Sequence, residues 1–156
     1  MKIEAGQQAP DFSLYNSEKT KVTLSDLKGK HGLLLFFPQA FSGVCTKELC
    51  AVRDDIARYN QSNAEVLGIS VDSVFTLAKF KEEQGYNFPL LSDFNKEVSS
   101  LYGAIYEDWI LDMKGVSKRS AFIIDKEGVV KYAEVLENPG DLPDFDAINT
   151  CLAGLN

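Results

Sequence analysis

A continuous apolar run at residues 32–37, Gly-Leu-Leu-Leu-Phe-Phe, constrains the fold of this chain more than any other segment. An apolar run of this length without alternation is typical of a strand that is covered on both faces. A second such run spans residues 66–71, and a helical pattern over residues 46–59 separates the two. Strands that alternate with helices in this way predict an α/β fold.

Weaker patterns add elements on both sides of this centre. Alternating residues around a polar turn predict an N-terminal hairpin of strands 11–15 and 21–24. Residues 88–91 predict a short strand at a sheet edge, because Pro89 cannot donate a ladder hydrogen bond. The remaining predicted elements are helices over 75–84, 96–102 and 144–153, and a hairpin of strands 120–124 and 129–136. We therefore expect a single domain over residues 1–156, with helices flanking a mixed central β-sheet.

Composition excludes several classes of function. Of the 156 residues, 45% are hydrophobic, which is enough to build a core, and the net charge of −7 does not suit nucleic acid. The N-terminus lacks the apolar stretch of a signal peptide and no run is long enough to span a membrane, so we expect a soluble, cytoplasmic protein. With three cysteines, no Cys-x-x-Cys and one histidine, we expect neither a metal site nor a disulfide framework.

The apolar run leads into Phe-Pro-Gln-Ala-Phe-Ser-Gly-Val-Cys at residues 37–45. Cys45 stands where a strand turns into the first turn of a helix. Free backbone N–H groups and the positive end of the helix dipole favour an anion there, such as a thiolate. Ser42 lies three residues before the sulfur and can point at the same pocket, and Pro38 fixes the backbone at the strand end. From these residues alone, the alternative is a buried structural cysteine with Ser42 as a helix N-cap.

The spacing Pro-x-x-x-Ser-x-x-Cys at residues 38–45 resembles the active-site pattern of peroxiredoxins, the cysteine-based peroxidases. Three further stretches, at residues 9–14, 88–93 and 119–125, resemble other parts of that family, so the likeness covers nearly the whole chain. The resemblance implies a thioredoxin-like sandwich. It also implies a thiol peroxidase that reduces hydrogen peroxide and organic hydroperoxides without a cofactor.

The resemblance also assigns the catalytic roles. Cys45 would be the nucleophile, whose thiolate attacks a peroxide oxygen and becomes a sulfenic acid. Arg119 would be the catalytic and substrate-binding cation, because its guanidinium is permanently charged and offers a planar set of donors. Glu48 matches an acidic family position and would orient Arg119. Without the resemblance, Arg119 fits a surface residue beside Lys118, and Glu48 fits a solvent-facing acid near the helix start.

Three further residues are assigned to the peroxide pocket. Ser42 stands where threonine is commoner in the family and would hydrogen-bond the peroxide. Val44 would help to hold the peroxide oxygens through its backbone N–H. Pro38 would shield the sulfur and shape the pocket. Phe37 and Phe41 are expected to form pocket wall and core, and Trp109 is expected to pack, with a subunit contact as the alternative.

A second cysteine leaves two mechanisms open. Residues 36–45 resemble the AhpE-type peroxiredoxins, which commonly lack a second cysteine in the following helix, whereas Cys50 matches the bacterioferritin-comigratory (PrxQ-type) arrangement. That match implies that Cys50 resolves Cys45 as an intramolecular disulfide, which a thioredoxin-, glutaredoxin- or mycoredoxin-like protein reduces. The alternative is a one-cysteine enzyme resolved by an external thiol. Cys151, in the predicted last helix, is expected to be a small core residue.

Helix geometry restricts the first mechanism. Five helical steps rise about 7.5 Å and turn about 500°, so the Cα atoms of Cys45 and Cys50 would lie about 8 to 9 Å apart with diverging side chains. A disulfide needs Cα atoms within about 7 Å. The bond therefore requires the first helical turns to unwind.

Partners and competing functions follow from the same resemblance. AhpE-type relatives commonly pair through loops around the active site, so we expect a homodimer; the PrxQ-type group is often monomeric, which leaves a monomer as the alternative. A redox sensor or holdase chaperone is an alternative, although the sequence shows no aromatic or Met-rich client surface. A thioredoxin-like disulfide reductase is a weaker alternative, because that chemistry calls for Cys-x-x-Cys at the helix start.

Overall fold

The structure, a computed structural model, describes residues 2–27 and 29–155. Its strands are β1 (Ser13–Asn16), β2 (Lys21–Thr23), β3 (His31–Phe36), β4 (Ala64–Ser70), β5 (Leu90–Ser92), β6 (Ile105–Tyr106), β7 (Val116–Ser117), β8 (Ser120–Ile124) and β9 (Val130–Val135). Its α-helices are α1 (Gly43–Asp54), α2 (Ile56–Gln61), α3 (Val74–Gln84), α4 (Glu97–Leu101) and α5 (Phe145–Gly154). Short 3₁₀ turns cover Leu24–Leu27 and Ile110–Asp112.

Seven strands form one mixed sheet in the order β2-β1-β5-β4-β3-β8-β9, and β6 pairs with β7 separately. Strands β3, β4 and β5 run parallel to each other, whereas β1 and β8 pair antiparallel with their neighbours. The carboxyl ends of the three parallel strands therefore meet at one edge of the sheet, and the loop after β3 leads from that edge into α1.

The apolar run of β3 supplies both cores, because successive strand residues point to opposite faces. Leu33 and Leu35 pack with residues of α1, α2, α3 and α5 on one face. Leu34 and Phe36 pack with the N-terminal segment and α4 on the other face. Helices or loops thus cover the central strand on both sides, as the unbroken run predicted.

Most predicted elements are confirmed, including the N-terminal hairpin, the central strands and the final helix. Two predictions need correction. The strand predicted at 88–91 is not an edge strand: β5 lies between β1 and β4, and Pro89 precedes it, where its carbonyl accepts from the Gly68 N–H at 3.0 Å. The helix predicted over 46–59 begins three residues earlier, at Gly43, and is broken at Asp55 into α1 and α2.

Candidate active site

Cys45 lies in the first turn of α1 and is fully buried. The first hydrogen bond of the helix runs from the Thr46 N–H to the Ser42 carbonyl at 3.0 Å. The N–H groups of Gly43, Val44 and Cys45 precede that bond, in the part of a helix where amides have no intrahelical acceptor. The earlier helix start therefore places Cys45 within the first turn of the helix and not before it.

Asp72, directly after β4, holds the loop that leads to the cysteine. Its Oδ2 accepts from the Ala40 N–H and from the Ser70 hydroxyl, both at 2.7 Å, and its carbonyl accepts from the Ser92 hydroxyl at 2.6 Å. Burial raises the pKa of Asp72, and the bonds from Ser70 and Ala40 oppose that rise. The buried carboxyl of Asp72 therefore ties the end of β4 to the loop after β3, and its backbone carbonyl ties the end of β5 to the same residue.

The same loop contains a strained residue. Phe41 has φ +68°, a conformation that bulky residues rarely adopt. Its ring packs on Phe80 with centroids 4.9 Å apart, although 47% of the residue remains exposed. The turn before the helix is thus held by an aromatic contact on one side and by Asp72 on the other.

Arg119 meets the cysteine directly. It precedes β8, whose first residue, Ser120, pairs with Phe36 at the end of β3, so the guanidinium reaches the loop that follows β3. Arg119 Nη2 donates to Cys45 Sγ at 3.2 Å, and Nε donates to the Pro139 carbonyl at 3.1 Å. Arg119 is 1% exposed, which contradicts the surface alternative.

Glu48 fixes the third nitrogen of that guanidinium. Its Oε1 accepts from Arg119 Nη1 at 2.7 Å, and the residue is fully buried, so the solvent-facing alternative is wrong. Burial outweighs the attraction of Arg119 and raises the pKa of Glu48 to about 7. Burial also lowers the pKa of Arg119, but the negative groups of Glu48 and Cys45 outweigh it, so the net shift is upward. Cys45, Arg119 and Glu48 therefore form a buried, charge-coupled cluster.

A cleft of about 200 Å³ reaches this cluster from the surface. Ser42, Gly43, Val44 and Arg119 line it, so the predicted pocket residues Ser42 and Val44 are brought together with the arginine. The cleft is completed by Trp109, Ile110, Pro139 and Gly140.

Ser42 and Pro38 sit on either side of the loop. Ser42 occupies the N-cap position without a side-chain cap bond, and its hydroxyl instead donates to the Gln39 carbonyl at 2.7 Å. The alternative of Ser42 as an N-cap is therefore right in position but not in its hydrogen bond. Pro38 is buried directly after the central strand.

Cys50 lies in the same helix as Cys45, and no disulfide joins them. Its half-buried sulfur contacts Gln84 Oε1 at 3.6 Å and the Tyr86 hydroxyl at 3.7 Å. Burial, followed by the neighbouring Cys50, raises the pKa of Tyr86, so the phenol keeps its proton at neutral pH. The Cys50 sulfur therefore contacts Gln84 and Tyr86 and not the Arg119 cluster.

Cys151 is remote from this cluster. Its sulfur contacts the Lys131 carbonyl at 3.8 Å, and it packs partly buried against the helix-covered core. Burial raises the pKa of its thiol, which disfavours the reactive thiolate. These contacts fit the expected packing role.

Two features of the site were missed from the sequence. Asp72 follows a predicted parallel strand, and ligands and reacting groups gather at the carboxyl ends of such strands, so its position was a usable signal. Trp109 was expected to pack or to lie at a subunit contact, but it lines the cleft. It lies in the segment between β6 and β7, where no periodic pattern predicted structure.

Over residues 2–27 and 29–155, no helix is both long and apolar enough to cross a bilayer. The same residues contain no group of three or more His, Cys, Asp or Glu side chains that could hold a metal ion.

Comparison with known proteins places the chain in a family. The sequence profile of the AhpC/TSA family matches residues 5–133. Alkyl hydroperoxide reductase E of Mycobacterium tuberculosis is 35% identical over 156 residues, covering 98% of both chains. A putative peroxiredoxin bcp of Coxiella burnetii is 40% identical over 132 residues, covering 83% of this chain and 87% of the other.

A solved structure supports the same assignment. The crystal structure of peroxidoxin BcpB from Mycobacterium tuberculosis superposes with a TM-score of 0.87 at 30% identity, covering 99% of each chain. The predicted thioredoxin-like α/β fold and the resemblance to peroxiredoxins are thereby confirmed. The chain belongs to the AhpC/TSA family and is a peroxiredoxin, an enzyme that reduces peroxides through a cysteine thiol.

Proposed function

We propose that Cys45 is the peroxide-reducing cysteine and that hydrogen peroxide and organic hydroperoxides are its substrates. The observation that carries this proposal is the 3.2 Å contact between Arg119 Nη2 and Cys45 Sγ at a helix N-terminus. The Cys45 thiolate attacks the terminal oxygen of R–O–O–H, an S–O bond forms and the O–O bond breaks. The RO⁻ group leaves and takes up a proton as ROH, so the sulfur is oxidised to sulfenic acid while the peroxide is reduced.

The surrounding groups stabilise the charge that spreads along the S–O–O axis. Three of the five N–H donors of Arg119 already bond Glu48, Cys45 and Pro139, which leaves two for the peroxide. Glu48 orients the guanidinium through its bond to Nη1. An arginine held in this way is pre-aligned for the transition state.

Ser42, Val44 and Pro38 complete the pocket in this proposal. Because the single hydroxyl hydrogen of Ser42 is donated to Gln39, its oxygen is left to accept from the peroxide O–H. The backbone N–H of Val44 lies in the unbonded first turn and can donate to a peroxide oxygen. Pro38 walls off the strand end and limits the access of water to the sulfur.

Peroxide consumption by single-cysteine variants tests the proposal. Cys45→Ser should abolish turnover, whereas the matched control Cys151→Ser should retain it, because Cys151 lies on α5, away from the Arg119 cluster. Full activity in Cys45→Ser would remove the proposal.

We propose that Cys50 resolves the oxidised enzyme. Its thiol would attack the Cys45 sulfenic acid, forming the Cys45–Cys50 disulfide and releasing water. Both residues lie within the continuous helix α1, where the expected Cα separation of about 8 to 9 Å excludes the bond. The first turns must therefore unwind, and Cys50 must leave its contacts with Gln84 and Tyr86. The one-cysteine alternative, in which α1 stays intact and an external thiol resolves Cys45, makes the opposite prediction.

Hydrogen exchange over residues 43–58 distinguishes the two mechanisms. Oxidised wild-type protein should lose protection in this segment, and oxidised Cys50→Ser should keep it. Equal protection in oxidised and reduced wild-type protein, with a persistent sulfenic acid and no Cys45–Cys50 peptide, would favour the external thiol.

The remaining assignments rest on family likeness. We propose that a thioredoxin-, glutaredoxin- or mycoredoxin-like protein reduces the disulfide, and that the chain acts as a cytoplasmic homodimer. The apolar side chain of Leu111, 86% exposed and next to the cleft residue Ile110, supports a subunit contact near the active site.

A further inference from the structure

The cleft above Arg119 is larger than hydrogen peroxide requires. A water molecule takes up about 30 Å³ in the liquid, so about 200 Å³ holds several such volumes. Among the side chains that line the cleft, Ser42 and Arg119 carry the polar groups suited to a peroxide, and the buried indole N–H of Trp109 has no hydrogen-bond partner in the described part of the chain. The remaining space is large enough for a further group of a substrate, beyond the peroxide itself.

Four of the residues that line the cleft have mainly apolar side chains. Trp109 and Ile110 face it from the segment between β6 and β7, and Val44 and Pro139 line it from the other elements. Among the described residues that line the cleft, none is acidic and Arg119 is the sole cation. Such a lining favours the carbon group of a substrate whose peroxide end lies at Arg119.

The position of Trp109 is set by the fold. The side chain packs against the small cluster of Val71, Tyr106 and Val116, and its backbone N–H donates to the Met113 carbonyl at 2.8 Å. The Tyr106 hydroxyl in turn donates to the Leu136 carbonyl at 2.7 Å. The indole is therefore a fixed wall and not a side chain that must be ordered when substrate binds.

We infer that Trp109, supported by Ile110, is the specificity-determining wall that binds the organic group of an alkyl or aryl hydroperoxide. The inference rests on the proposed reaction at Cys45 and adds to it the residue that favours organic hydroperoxides over hydrogen peroxide. Hydrogen peroxide has no carbon group, so it gains no apolar contact with this wall.

Rates of Cys45 oxidation with cumene hydroperoxide and with hydrogen peroxide test the inference. Trp109→Ala should slow the reaction with cumene hydroperoxide by about 10- to 50-fold, the range for lost contacts in an apolar pocket, and leave hydrogen peroxide within about threefold. Trp109→Phe should restore most of the organic rate, because a flat aromatic wall remains. Phe75→Ala, which truncates a 72% exposed aromatic residue outside the cleft, should change neither rate.

A binding measurement separates the wall from the chemistry. Trp109 is the only tryptophan of the chain, so its fluorescence reports its own surroundings. Cumene hydroperoxide added to Cys45→Ser protein should change that fluorescence in a saturable way, and hydrogen peroxide at equal concentration should not.

Three results would overturn the inference. Equal loss of both rates in Trp109→Ala with an intact fold, or an unchanged cumene rate, would show that the wall does not select the substrate. A changed sedimentation mass with an unchanged ratio of the two rates would assign Trp109 to a subunit contact. Failure of the proposed function is distinguishable from these results. If Cys45 were not the reacting residue, Cys45→Ser would keep wild-type activity, whatever the behaviour of Trp109.

Discussion

Glu48→Gln tests the buried cluster, because it removes a charge and keeps the shape. The carboxyl is fully buried, and burial raises its pKa from 4.5 to about 7. Between these two values the folded protein holds a proton that the unfolded chain releases. The free energy of unfolding contributed by Glu48 is therefore fully present below pH 4.5 and is lost as the pH rises through about 7.

The size of this effect follows from the pKa difference. At about 1.4 kcal/mol for each pKa unit, the shift corresponds to about 3 kcal/mol in total, most of it lost between pH 5 and pH 8. Glutamine does not titrate, so the difference in unfolding free energy between Glu48→Gln and wild type should grow by about 2 to 3 kcal/mol over that range. The variant should therefore become more stable relative to wild type as the pH rises.

Urea unfolding of the reduced proteins at several pH values measures this difference. Glu83→Gln, at an exposed position on α3, makes the same carboxyl-to-amide replacement away from the buried cluster and should give a flat difference. Parallel curves for wild type and Glu48→Gln would refute the reasoning, because they would mean that Glu48 has the same pKa in the folded and unfolded chain.

Three further predictions concern the chemistry and assembly. Arg119→Met should slow the attack on peroxide by about 10²- to 10³-fold, as for the loss of one preorganised donor; an unchanged stopped-flow rate would assign Arg119 a packing role only. Glu48→Gln should slow the same step less than Arg119→Met does, because an amide oxygen can still accept from Nη1; the reverse order in stopped-flow rates would contradict its orienting role. The reduced protein should sediment as a dimer at micromolar concentration, and a single species near 17.3 kDa would contradict this.

The centre of the fold was predictable because its signals are local. The apolar run of β3 and the helical spacing after it lie within 30 residues, and they place Cys45 at a strand-to-helix turn without any tertiary information. The helix start was misplaced by three residues, because the prediction began the helix after Cys45, although Ser42 at the N-cap position was a usable signal for a start at Gly43. The strand at Leu90 was assigned to an edge because Pro89 was counted inside it, whereas the strand begins after the proline.

Contacts between residues that are far apart in the sequence were harder to predict. Arg119 and Glu48 lie 71 residues apart, and their pairing was suggested by family likeness, not by spacing. Asp72 acts through hydrogen bonds to Ala40 and Ser70 that depend on the parallel register of β3 and β4. Trp109 belongs to a segment with left-handed residues at Leu111 and Asp112, which periodicity does not detect.

Mass spectrometry after one equivalent of peroxide tests the role of Cys45 most directly. Reduced wild-type protein would be oxidised, trapped with a sulfenic-acid reagent and digested, and each of the three cysteine peptides would be assigned. We predict that the added oxygen or the Cys45–Cys50 disulfide appears on the Cys45 peptide while Cys151 stays reduced. Oxidation of Cys50 or Cys151 with Cys45 remaining a free thiol would contradict the assignment of Cys45 as the peroxide-reducing residue.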